Sequence, residues 1–149
     1  MKSGQVIFEQ HLNASLEKVW KAITDQEQMK HWYFDIKAFS PEVGFEFSFV
    51  GGSEEKPYVH LCRITEIENH KRIAYSWRYE GIPGNTLVTF EIFPDEGGTR
   101  LKLTHEGLDS FPSENPDVSP ENFAAGWRHI IGVSLTKFVE VERSGSPFI

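Results

Sequence analysis

The sequence predicts an α+β fold: a curved antiparallel β-sheet wrapped around a long C-terminal α-helix, with two short helices after the first strand. Three observations carry this. Apolar and polar residues alternate with period two through a series of segments between residues 45 and 106. Residues 123–139 instead carry apolar side chains at Phe123, Trp127, Ile130, Ile131, Leu135 and Phe138, close to a helical repeat. Strands gathered in sequence with helices at both ends argue for α+β and against alternating βαβ units.

The first strand is expected over residues 6–12. Asn13 or Ser15 can cap the helix that follows, because a short side-chain oxygen accepts a free N–H of the first turn. Leu16, Val19, Trp20 and Ile23 then share one helical face. A second short helix covers 25–31 and runs into the aromatic cluster HWYF at 31–34. Phe45, Phe47 and Phe49 alternate with Glu46 and Ser48, the signature of a half-buried strand. GGSEEKP at 51–57 is a polar turn, and the Glu54–Glu55 pair within it reads as solvated charge. Residues 59–68 and 72–79 form a hairpin around ENHK, and a bulge near Glu66 reconciles the broken alternation of its first arm.

The hairpin of 86–93 and 99–106 around PDEGG fixes its own register. With Phe93 opposite Arg100, the residues Ile92, Phe90 and Val88 oppose Leu101, Leu103 and His105 on one face. Glu91 then opposes Lys102 on the other face, a favourable charge pair. A polar, Pro-containing loop at 107–121 could act as a flap. Ser119 and Pro120 form an N-cap and first-turn pair for the final helix, expected to run to about residue 142. Gly126 and Gly132 sit inside that helix, each costing about 1 kcal/mol relative to Ala. Gly126 is expected to allow close approach of the helix backbone to a neighbour. Gly126, Gly132 and Ser134, as small residues facing the sheet, would leave room; for Gly132 a slight bend or packing alone are the alternatives.

At 149 residues the chain is read as one domain, 1–149, with a core of about 5–142 and a short tail at 143–149. The net charge of −7 and the lack of a basic stripe argue against nucleic-acid binding and attraction to anionic lipid. No apolar run reaches membrane-spanning length, so no stable membrane insertion is expected. The N-terminal stretch lacks the apolar core of a signal peptide, and Cys62 is the single cysteine, which together suit a reducing cytoplasm.

Chemistry-bearing motifs are sparse. No HExxH, HxH, Cys/His pair, glycine-rich phosphate loop or GxSxG is present, and no metal or other cofactor is expected. His105 points inward in the predicted register. It is either a polar anchor for a ligand carbonyl or hydroxyl, or a strand-end histidine bonded to backbone or water, the commoner case. His60 and His129 read as solvent-facing or rim residues, and His70 as exposed in a turn. Tyr58, Tyr75 and Tyr79 either hydrogen-bond a ligand or pack their rings with the hydroxyls reaching water. Cys62 reads as an inert buried thiol, because VHLCRIT supplies neither a base nor a helix N-terminus.

A bent sheet wrapped round a helix leaves space between them. The expected lining of that space comprises Trp32, Phe45, Phe47, Phe49, Cys62, Ile64, Tyr75, Trp77, Tyr79, Val88, Phe90, Leu103 and His105, with Phe123, Trp127, Ile131 and Ser134 from the helix. The expected partner is a small hydrophobic or aromatic molecule.

Three stretches carry a family resemblance: NASLEKVWKAITDQEQMKHW at 13–32, RIAYSW at 72–77 and GWRHIIGVSLTKF at 126–138. The chain resembles the START-like, helix-grip superfamily that includes the birch-pollen allergen. Within it, the chain is most similar to the branch named after the activator of a heat-shock-chaperone ATPase. The resemblance spans roughly 5–142 and implies a cavity that accepts lipids, sterols, polyketides or phenolics in different branches. It also implies two alternatives to simple binding. One is a cyclase, dehydratase or hydrolase, which would use His105 with Tyr75 or Glu106, although alternation puts Glu106 on the opposite face. The other is a chaperone ATPase co-regulator, set against the expectation that this chain has no separate chaperone-binding domain.

Overall fold

Six antiparallel strands form one sheet in a computed structural model that describes residues 4–52 and 55–145. The strands are β1 (Gln5–Leu12), β2 (Glu46–Gly52), β3 (Pro57–Glu68), β4 (Arg72–Tyr79), β5 (Ile82–Asp95) and β6 (Gly98–Glu106). The chain leaves β1 at one edge, crosses by two short helices, and re-enters at the opposite edge as β2. From there each strand hairpins onto the next until β6 closes against β1.

The two crossing helices are α1 (Leu16–Thr24) and α2 (Gln26–Trp32). Ser15 caps α1, its hydroxyl accepting from the Lys18 N–H at 3.1 Å. Asn13 is occupied elsewhere: its side chain meets His11, and its N–H donates to Glu140 of the C-terminal helix. Asp25 caps α2 instead of opening it, and the helix extends through Trp32. Val19, Ala22 and Ile23 of α1 are buried against the sheet. Full burial of a side chain the size of Ile23 stabilises by about 1.5–3 kcal/mol.

The β5–β6 register is the one the charge and apolar patterns predict, with Val88 opposite His105, Phe90 opposite Leu103 and Glu91 opposite Lys102. The β3–β4 ladder slips between Ile64 and Glu66, where the sequence calls for a bulge. A second slip is less visible in sequence. β5 begins at Ile82, four residues earlier than the pattern suggests, because the chain turns tightly at Glu80–Gly81 with Gly81 at φ +84°. Pro83 and Gly84 look like loop residues, yet they ride in this irregular strand start.

The C-terminal helix is not uniform. It comprises α3 (Pro120–His129), a π-helical segment Ile130–Leu135, and α4 (Thr136–Gly145). Ser119 caps it as predicted. Up to residue 140 its buried residues are Phe123, Trp127, Ile131, Leu135 and Val139, a constant spacing of four. In a straight α-helix each such step overshoots a full turn by about 40°, so the stripe would swing about 160° around over four steps. The wider π turn advances less per residue and keeps the stripe on the sheet. The Thr136 N–H and hydroxyl both reach the Ile131 carbonyl, the five-residue bond of such a turn.

Helix α4 continues to Gly145, past the expected end of the core. Residues 146–149 of the expected tail and Glu54 of the acidic pair lie outside the described residues. No helix among the described residues is long and apolar enough to cross a membrane.

Candidate functional site

Aromatic rings fill most of the space between sheet and helix. Trp32, Tyr33, Phe49, Phe90 and Trp127 form a connected stack in which Tyr33 touches the other four rings, at centroid distances of 4.8, 6.2, 6.1 and 6.3 Å. The Tyr33 and Tyr75 hydroxyls bond each other at 2.7 Å, and burial pushes both phenols well above their ordinary range. Trp32 donates its indole N–H to the Ala22 carbonyl. That half of the interface is solid core.

The other half is open. A cavity of about 340 Å³ lies between the β3–β4 wall and α3. Its wall comprises Phe34, Tyr58, His60, Trp77 and Tyr79, its helix side Phe123, Gly126, Trp127 and Ile130, and its rim Gly52, Lys56, Asp117 and Asn122. Of the expected lining, Trp77, Tyr79, Phe123 and Trp127 meet here. Phe47, Phe49, Cys62, Ile64, Tyr75, Val88, Phe90, Leu103, His105, Ile131 and Trp32 are buried but do not line this cavity, and Phe45 and Ser134 are only half-buried outside it. The Cys62 thiol is pushed far up by burial and is not a nucleophile in this setting.

His105 is fully buried and both its nitrogens are taken. Nδ1 accepts from Trp127 Nε1–H at 3.1 Å, and Nε2 meets Thr86 Oγ1 at 2.8 Å. Thr86 in turn donates to the Trp77 carbonyl at 2.7 Å. An indole N–H can only donate, and a carbonyl can only accept. The chain of bonds therefore fixes a neutral imidazole with its proton on Nε2. Burial lowers its pKa to about 3. It braces Trp127 and has no free nitrogen for a ligand or for proton transfer.

His60 is not solvent-facing: it sits across from Tyr79 in the cavity wall. It is buried, stacked on Phe49 at 4.4 Å, and its Nδ1 lies 3.0 Å from the Tyr58 carbonyl oxygen. Burial lowers its pKa to about 4. His70 also packs more than expected, stacking on Trp20 at 5.9 Å from a left-handed turn position, φ +64°. His129 is exposed.

The two helix glycines play different parts, one leaving room and the other packing. A side chain at Gly126 would meet nothing within 4 Å, so this residue borders empty space and makes no close approach. A Cβ at Gly132 would sit 3.4 Å from the Phe8 ring of β1, so this glycine packs against the sheet and borders no cavity.

At the rim, the short turn Pro116–Val118 is tied to the start of β3. The Asp117 carboxylate accepts from the Tyr58 hydroxyl and pairs with Lys56 at 2.9 Å. These two donors hold its pKa below the ordinary carboxylate value. Asn122 reaches back from α3 to the Asp117 carbonyl at 2.8 Å. Sequence reasoning missed Phe34, Lys56, Asp117, Asn122 and Ile130 as site residues. Only the polar loop 107–121, read as a flap, pointed toward this corner. Among the described residues no cluster of three or more His, Cys, Asp or Glu side chains could hold a metal ion.

Residues 13–140 match the family described as Activator of Hsp90 ATPase homolog 1-like protein. The chain belongs to that family. No curated protein matches it. Among solved structures, protein CV1439 of Chromobacterium violaceum superposes with TM-score 0.76 at 23% identity, covering 92% of this chain and 97% of its own. Mll3558 of Rhizobium loti gives 0.78 at 20%, covering 90% and 95%. DynU16, a protein of the dynemicin biosynthetic locus, gives 0.73 at 18%, covering 95% of this chain and 48% of its own. At these identities the likeness establishes the fold shared by this Activator of Hsp90 ATPase homolog 1-like chain and its neighbours, and nothing about ligands.

Proposed function

We propose that this family member is a binding protein that holds a small, largely apolar molecule non-covalently between sheet and C-terminal helix. The observation that carries the reading is the open wall at Gly126. Elsewhere the interface is packed with rings, but here the helix presents no side chain and about 340 Å³ is left free. Ligand sites commonly occupy about 300–1,000 Å³ and are mainly apolar with few polar groups. The ring-lined wall of Phe34, Trp77, Phe123 and Trp127 fits that description.

The acid–base alternative through His105 loses support, because that imidazole lies outside the cavity with both nitrogens bonded. A panel of fatty acids, sterols, chalcones and flavanones followed by NMR tests the proposal. Saturable shifts at Trp77, Trp127 and Gly126 are expected for at least one class. Shifts confined to residues outside the cavity, or none, would overturn it. Stimulation of a chaperone ATPase by the chain, with no ligand effect, would favour the co-regulator reading.

A further inference from the structure

We infer that the cavity selects neutral aromatic molecules bearing a carbonyl, and that the Tyr79 hydroxyl is the donor that receives that carbonyl. This rests on the reading that the cavity holds an apolar molecule, and it adds the polar contact that orients it.

The polar groups around the cavity can be taken in turn. The Trp127 N–H is committed to His105, and the Trp77 N–H to the Tyr79 oxygen at 2.9 Å. The Tyr58 hydroxyl donates to Asp117, whose carboxylate also pairs with Lys56. Neutral His60 has a single N–H, and the Tyr58 and Phe49 backbones already compete for it. Asn122 donates to the Asp117 backbone at the rim.

Tyr79 is different. It is 7% exposed and lines the cavity, and its oxygen already accepts from Trp77. Its own hydrogen has no acceptor among the described residues. A hydroxyl that accepts one bond donates the next more strongly, since hydrogen bonds in a chain polarise one another. Burial pushes the phenol up, so it keeps its proton at every working pH. The inner wall thus offers an O–H donor, and the complementary ligand group is an acceptor.

The rest of the lining narrows the class. The ion pair at the rim is internally compensated, and His60 is neutral, so nothing at the inner wall balances a ligand charge. A buried unpaired carboxylate would be strongly disfavoured there. Rings from Phe34, Tyr58, Trp77, Phe123 and Trp127 favour flat aromatic partners.

The test compares acetonaphthone with ethylnaphthalene, which are close in size and differ in the carbonyl. Dissociation constants are measured by NMR titration for the full chain and for Tyr79→Phe. Between the two proteins the ratio of the constants should change about fivefold to tenfold, with acetonaphthone weakened and ethylnaphthalene nearly unaffected. The bound carbonyl stretch should also fall relative to its value in cyclohexane in the wild-type protein, a readout that does not depend on how well the variant folds. An unshifted carbonyl, or an unchanged ratio in a folded variant, overturns the assignment while leaving the binding proposal intact. Failure of both compounds to bind the wild-type protein overturns the assignment, and the binding proposal falls with it only if the fatty-acid, sterol, chalcone and flavanone panel also fails.

Discussion

The indole of Trp127 and the imidazole of His105 are joined by one hydrogen bond of 3.1 Å that ties the C-terminal helix to β6. Because the indole can only donate, it dictates which imidazole nitrogen carries the proton, and through Thr86 the dictation passes to the Trp77 carbonyl on β4. Two of the cavity's tryptophans are thereby held by one buried relay. Thr86→Val keeps the shape and removes the middle oxygen. It strands the His105 Nε2–H, so stability should fall by about 1–3 kcal/mol in urea denaturation. Probe binding should be unchanged, since Thr86 does not line the cavity.

Acid should unfold the protein through its two buried histidines. The folded pKa values of His105 and His60 are lowered, to about 3 and about 4, against 6.5 when unfolded. The stability they contribute is fully present above pH 6.5 and is lost as pH falls toward the folded values. Each adds a slope of at most about 1.4 kcal/mol per pH unit in that window. His11 works in the opposite sense, because Asp95 raises its pKa, but it is exposed on the surface. Urea midpoints should therefore drop between pH 6.5 and 4.5. His60→Gln should remove roughly half of the slope.

Gly126 can be filled without displacing anything. Gly126→Ala should stabilise the helix by about 0.5–1 kcal/mol, read as a raised thermal midpoint. Gly126→Phe should occupy the cavity, keep the fold and abolish probe binding in the same titration.

The rim latch should govern access more than stability. Asp117→Asn weakens the bonds to Tyr58 and Lys56, and an exposed, solvent-screened ion pair adds little to stability. Amide exchange at residues 115–119 should accelerate, and ligand association with it, with little change in the urea midpoint.

The hairpin register was legible in the sequence because two independent patterns, apolar alternation and the Glu91–Lys102 pair, demanded the same alignment. The bulge near Glu66 was legible because alternation broke there. The cavity's position was not. An inward aromatic such as Phe90 or Tyr75 has the same strand pattern whether it packs on another ring or borders a void, and only the meeting of distant elements decides which. The rim was hidden for the same reason. Lys56 and Asp117 are 61 positions apart and each, taken alone, looks like ordinary loop charge. The parts of the two glycines stayed open because sequence shows that a side chain is missing but not what lies opposite.

The π segment at Ile130–Leu135 makes the chain one residue longer than its path requires. Where an α-helix would place buried positions at mixed spacings of three and four, this one keeps four throughout and absorbs the surplus in one widened turn. The helix therefore tolerates a shortening that would scramble an ordinary one. Deleting Gly132 should let the segment close as plain α-helix, with Trp127 still facing the cavity and Leu135 and Val139 still facing the sheet, so that the two ends of the helix stay in phase across a change of length.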